Sequence, residues 1–171
     1  WVTGVLLLLL VFYHGKAVFA SADQGWGAGA LVMIAVTFLA FVVYDALWKS
    51  PLGKDLRTGA AVGYVILAII IFAFIHVGGF GYRGYVIHTG ALLGTIMAAN
   101  VWMRIWPAQQ KIITATKQGQ PPDAALVAQA GARSRHNTYM SVPLLWMMVD
   151  QHKKGFASPV YLLVVILLAW A

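Results

Sequence analysis

The chain has 171 residues, of which 61% are hydrophobic and 10% charged, with no cysteine and a net charge of +7. A soluble domain is closer to half apolar and a quarter charged, and a fold of this size lacks the interior to hide the excess. An ordinary soluble enzyme, a disordered tail and a disulfide scaffold are thereby excluded, which leaves an all-α, polytopic transmembrane helix bundle. Without cysteine the chain itself has no covalent haem attachment, no thiolate metal or iron–sulfur site and no cysteine nucleophile.

A helix needs about 20 apolar residues to cross a hydrocarbon core roughly 30 Å thick. Taken in chain order, the apolar runs predict about six spans. Residues 1–13 are the truncated end of the first. Residues 28–48, 58–76 and 84–106 are full spans, the last ending at Pro107. Residues 136–151 make a shorter span kinked at Pro143, and 159–171 begin the last, with Pro159 in its first turn. The runs are continuous rather than alternating, so strands are not expected. Both ends cut into apolar runs, so we read residues 1–171 as a single transmembrane domain, a fragment of a longer chain.

The cations lie in the gaps between these runs, not in a basic stripe with interleaved aromatics. The bilayer, and not nucleic acid, is therefore the expected partner. Lys16, Arg83, Lys153 and Lys154 fall on one side. Lys49, Lys54, Arg57, Arg104, Lys111, Lys117, Arg133 and Arg135 fall on the other, which is predicted to be cytoplasmic. Residues 107–135 form a cytoplasmic loop with a turn at 118–123 and a short surface helix at 124–132 capped by Asp123, either a connector or a lid. Gly59 with Gly63, and Gly90 with Gly94, are spaced for close helix packing. Trp26, Trp48, Trp102, Trp106 and Tyr82 suit an interfacial belt.

The histidines are the main chemical signal. His14, His76, His88 and His152 fall near the non-cytoplasmic ends of four helices, and His88 lies deepest, about 6 Å into its span. Facing imidazoles can ligate a haem iron, so all four are candidate ligands, and iron is expected only through haem. Asp23 and Asp150 are the sole carboxylates on that face, which disfavours zinc or di-iron. The structural alternative is interfacial histidines bonded to headgroups or water. A second polar group, Asp45, Asn100, Arg104, Arg133, Arg135, His136 and Asn137, gathers on the cytoplasmic side. It suits an anion or quinone headgroup, or else a salt bridge tying helices.

Several stretches resemble the urate oxidase N-terminal family, the bacterial membrane-bound urate hydroxylases. They are Val43-Tyr44-Asp45-Ala46-Leu47-Trp48-Lys49-Ser50-Pro51-Leu52-Gly53 and His88-Thr89-Gly90-Ala91-Leu92-Leu93-Gly94-Thr95-Ile96-Met97-Ala98-Ala99-Asn100-Val101. They continue with Ile105-Trp106-Pro107-Ala108-Gln109-Gln110-Lys111, Gly119-Gln120-Pro121-Pro122-Asp123 and Arg133-Ser134-Arg135-His136-Asn137-Thr138-Tyr139. The similarity covers most of residues 40–155, in order and with similar gaps. It implies a multi-pass domain of the bacterial inner membrane that oxidises a small molecule and passes electrons to a c-type cytochrome facing the periplasm. Matched positions are Asp45, His88, Asn100, His136 and Asn137, with His152 a further match.

Taken together, these features predict a haem b-containing membrane oxidoreductase or electron-transfer subunit, urate hydroxylase-like. Haem c would lie only in a domain outside this chain. His88 is the leading ligand, with His152 or His76 opposite and His14 nearby. Asp45, Asn100, Arg104, Arg135, His136 and Asn137 form the substrate or quinone pocket. The rival readings are a non-catalytic anchoring or accessory subunit docked on other respiratory-complex subunits, and an anion transporter.

Overall fold

The computed structural model describes every residue except 22, 151, 153–157 and 171. Lys153 and Lys154, two of the four cations of the non-cytoplasmic count, lie outside the described residues. Within them the fold is all-helical, with one isolated bridge between Phe19 and Phe80 and no strand. The helices are α1 (Val2–Leu7), α2 (Ala28–Lys49), α3 (Leu56–His76), α4 (Tyr82–Asn100), α5 (Trp106–Lys117), α6 (Ala124–Asp150) and α7 (Pro159–Trp170). A π-helical stretch, Leu8–His14, continues α1, and another, Val101–Ile105, joins α4 to α5.

Three helical segments are long and apolar enough to cross a membrane: Ala28–Lys49, Leu56–His76 and Tyr82–Lys117. Val2–His14 and Pro159–Trp170 are shorter apolar helices. Large apolar side chains such as Leu39, Val42, Ile69, Trp102 and Leu168 face outward, as a surface solvated by lipid requires.

α4 is the centre of the bundle and packs most extensively on α6 and then α2. Its buried positions, from Tyr85 through Leu92 and Ile96 to Asn100, surround the whole helix rather than one stripe. α2 instead buries Ala30, Met33, Thr37, Ala40, Phe41 and Asp45, the three-and-four spacing of a single helical face. Asp55 caps α3: its carboxylate accepts from the Thr58 backbone N–H at 2.8 Å.

Two boundaries differ from the sequence expectation. The third span does not end at Pro107. The helix widens into the π turn at Val101–Ile105 and resumes at Trp106, with Pro107 in the first turn of α5. Proline has no N–H to give the preceding turn, and a widened turn absorbs that loss without stopping the chain. The stretch 107–135 is mostly helix. The short surface helix expected at 124–132 and the span expected at 136–151 are one continuous helix, α6, with Pro143 inside it.

The glycine pairs pack as expected. A Cβ on Gly90 would sit 3.6 Å from Met147, and one on Gly94 3.4 Å from Leu144, both on α6. Closer approaches occur elsewhere. The segment carrying Val18 lies across the start of α4, where Gly81 N–H donates to the Val18 carbonyl at 2.9 Å. A Cβ on Gly84 would fall 2.0 Å from that same oxygen. Of the expected belt residues, Trp26, Trp102 and Trp106 are exposed. Trp48 and Tyr82 instead turn inward, Trp48 onto His136 and Tyr82 onto Asp150.

Gly84→Ala should lower stability by about 1–3 kcal/mol, because Val18 is fully buried and its carbonyl must move. Gly90→Ala, with only ordinary van der Waals neighbours, should change little. Unfolding of the two variants in detergent compares them.

Candidate functional site at the Asp45 end of the bundle

Asp45, on α2, is 7% exposed. A carboxylate so placed in an apolar helix needs counter-charge. Arg104 grips it with two nitrogens, Nε at 2.9 Å from Oδ1 and Nη2 at 2.5 Å from Oδ2. That planar fork matches a carboxylate. Arg133 of α6 donates from Nη2 to Oδ1 at 3.0 Å, and Lys49, one turn along α2, lies 2.7 Å from Oδ2. Three cations meet one anion, so the cluster keeps an excess of two positive charges.

Arg133 is 5% exposed, and its guanidinium lies over the Tyr44 ring at 5.0 Å. Arg135, the arginine selected from sequence for this pocket, is exposed and takes no part in the cluster. The helical repeat explains the difference: Arg133, His136, Asn137 and Met140 share one face of α6, and Arg135 is turned about 200° from Arg133. Arg133 was visible as part of the polar group, but nothing in the linear chain told the two arginines apart. Tyr44 was visible only as a motif residue.

Beside the ion cluster runs a chain of hydrogen bonds whose direction one backbone atom determines. The Met97 carbonyl can only accept, and it accepts from Asn137 Nδ2 at 3.0 Å. Asn137 Oδ1 therefore accepts from Asn100 Nδ2 at 3.0 Å. The same Asn100 nitrogen gives its other hydrogen to the Tyr44 oxygen at 3.0 Å. Donation of the Tyr44 hydroxyl hydrogen to His136 Nδ1, 2.7 Å away, is the assignment that leaves that hydrogen paired. His136 then carries its ring hydrogen on Nε2, and the Trp48 ring holds the imidazole with centroids 4.1 Å apart.

Two polar atoms here are buried without a partner among the described residues: Arg133 Nη1, a donor, and Asn100 Oδ1, an acceptor. Asn100 is fully buried. A buried polar atom left unpaired costs about 1–3 kcal/mol.

The histidine cluster expected at the opposite end does not assemble among the described residues. His88 is fully buried on α4. Its Nδ1 donates to the Gly84 carbonyl at 2.7 Å, and its Nε2 is 2.9 Å from the Tyr13 hydroxyl, which donates to it. The Phe80, Tyr13 and Phe74 ring centroids lie 4.5, 5.6 and 5.7 Å from the imidazole. His14, His76 and His152 are exposed; His76 stacks on Phe72, and His152 sits on the turn after α6. No described group of three His, Asp or Glu side chains is placed to hold a metal.

These residues do not fit a haem held between two histidines. The only buried imidazole has its free lone pair on Tyr13 and its faces packed by aromatic rings. Another polar group at this end was only partly foreseen. Asp150 accepts from the Tyr82 hydroxyl, while Asp150 Oδ1, Tyr85 Oη and Trp146 Nε1 are buried with no partner among the described residues.

A model of the family described as urate oxidase N-terminal matches residues 1–171. The chain belongs to the urate oxidase N-terminal family. No curated protein and no solved structure matches it. Of the positions matched to this family by motif, Asp45, Asn100, His136 and Asn137 converge at one end of the bundle, joined by Tyr44. His88 stands apart at the other end, and His152 is on the surface.

Asp45→Ala should destabilise the protein by about 3–5 kcal/mol, because it strands Arg133 in the interior. Lys49→Ala should cost less than about 1 kcal/mol, since Lys49 is more than half exposed. Denaturant titration of the two variants in the same detergent orders them.

Proposed function

We propose that this domain is the membrane part of a urate hydroxylase-like oxidoreductase, oxidising a small anionic heterocycle at the Asp45 end. On this reading the chain crosses the bacterial inner membrane about six times, with the Asp45 end cytoplasmic. The electrons pass to a c-type cytochrome domain or protein on the periplasmic side. Residues 1–171 form one domain, and residues 107–135, with α5 and the first part of α6, lie at the cytoplasmic face.

The observation that carries the reading is a pair of buried atoms without a partner among the described residues, Arg133 Nη1 in the cluster with surplus positive charge and Asn100 Oδ1 in the chain beside it. A ring bearing a carbonyl beside an N–H offers an acceptor to the arginine and a donor to the asparagine. An anionic ring also offsets the surplus charge. Tyr44 and His136 supply an oriented path along which a proton released by the substrate can move. Arg104 and Lys49 hold Asp45, and through it Arg133, in place. A haem b on His88 needs Tyr13 displaced and a second ligand from beyond the described residues, so no electron step is assigned to it. Haem c belongs to the cytochrome outside this chain.

Arg133→Lys keeps a cation for Asp45 and removes the free guanidinium nitrogen. It should lower kcat/KM for urate-dependent cytochrome c reduction about tenfold to a hundredfold, mainly through KM. Arg135→Ala should leave the rate unchanged. A full-length, folded protein that reduces no cytochrome c with urate would instead favour the anchoring subunit.

The reduced-minus-oxidised visible spectrum of the transmembrane domain, freed of its cytochrome, should show no b-type band that depends on His88. A b-type band lost in His88→Ala would restore the histidine-ligated haem.

A further inference from the structure

A cavity of about 680 Å³ lies between α2, α3, α4, α6 and α7, beside the hydrogen-bonded chain and not within it. Its floor is the small-residue face of α3 around Gly59 and Gly63, and Leu93, Ile96, Met140 and Leu167 wall its apolar length. One end is polar and aromatic. Tyr44, Trp48 and His136 line that end, and Trp170 lines it from α7.

The hydrogen-bonding character of this end is one-sided. His136 Nδ1 is occupied by Tyr44, so the chain anchored at the Met97 carbonyl leaves Nε2–H as the free group of the ring. Trp170 Nε1–H, on the same cavity, is buried with no partner among the described residues. The Tyr64 hydroxyl, which also lines it, is already donated to the Leu163 carbonyl at 3.1 Å. The ring N–H groups left over are donors, so the complementary head must accept hydrogen bonds. Trp48 packs its ring against Gly59, where a Cβ would lie 2.8 Å from it, and an aromatic plane at this end suits a flat head that can stack on it. The remaining walls require a long apolar tail. Arg57 is the one cation among the described residues that line the cavity.

We propose that this cavity binds an isoprenoid quinone, with one ring carbonyl accepting from His136 Nε2–H and the tail running along the Gly59–Gly63 face of α3. A flat dione supplies acceptors and no donors, carries no charge to bury, and brings its own tail. A phospholipid offers acceptors too, but its head is charged and not planar, whereas the groups left over at this end are neutral ring N–H donors beside an aromatic plane. The inference rests on the oxidoreductase reading only for its purpose: it puts a redox carrier one imidazole away from the substrate network. The binding site itself stands on the cavity and on the direction of the hydrogen bonds.

The test uses the full-length protein, purified from its own membranes in mild detergent, extracted and analysed by mass spectrometry. Quinone should co-purify at close to one per chain. Gly63→Leu should reduce it at least tenfold, because a Cβ there has room (3.7 Å to Leu47 Cδ2) and the rest of the side chain fills the cavity. In delipidated protein, a short-tailed ubiquinone should quench tryptophan fluorescence saturably. His136→Ala should weaken it about tenfold, and His136→Gln, which keeps a donor, should weaken it less. Phospholipid alone in the extract, or equal quinone in Gly63→Leu, would overturn the proposal. Urate-dependent cytochrome c reduction is measured on the same preparation. If it persists with no quinone bound, the quinone site falls and the oxidoreductase reading stands. If quinone binds and no urate is oxidised, the reverse holds.

Discussion

The arrangement at one end of this bundle depends on a single buried carboxylate. Asp45 lies on an otherwise apolar helix, and an unpaired charge there would cost several kcal/mol. Its partners come from three places: Lys49 on the same helix, Arg104 from the π turn after α4, and Arg133 from α6. Meeting that demand clamps α2, α4 and α6 in one register. In that register Tyr44, the neighbour of Asp45, faces Asn100 and His136. The polar chain is thus a consequence of the ion cluster rather than a separate feature. The cluster also over-compensates its anion, which gives this end of the bundle a standing preference for negative charge.

The second constraint is directional. Amides and hydroxyls can each face two ways, and a network of them is ambiguous until one member touches a group with a single role. Here that group is the Met97 carbonyl. It orients Asn137, which orients Asn100; Tyr44 accepts from Asn100, and pairing its own hydrogen with His136 assigns the histidine's hydrogen to Nε2. A backbone atom of α4 thereby decides which nitrogen of a histidine on α6 presents its hydrogen to a cavity. This suits a site that must handle protons without rearranging, because each member has its role before any ligand arrives.

The opposite end shows how a buried histidine can be satisfied without a metal. An ionisable residue within a membrane span is a functional candidate by default, and His88 meets the outward criteria of depth and burial. Its two nitrogens are nonetheless both engaged, one by the carbonyl a turn earlier and one by Tyr13. Its ring is part of an aromatic cluster with Phe74 and Phe80. The other three candidate ligands remain on the surface. Sharing one end of a bundle did not bring them together.

Much of this protein is legible in its sequence. The apolar runs mark the helices, since each needs a length set by the bilayer. The net charge and absent cysteine remove whole classes of chemistry. The motifs around Asp45, Asn100 and His136 place the family. What the linear chain leaves open is anything that depends on rotation about a helix axis or on the space between helices. Arg133 and Arg135 differ only in which way α6 is turned, and packing against α2 decides that. Whether Pro107 ends a helix depends on whether the turn before it can widen. Whether four histidines meet depends on helix tilt and on which side chains fill the gap. Those are properties of packed surfaces, and only the tertiary structure holds them.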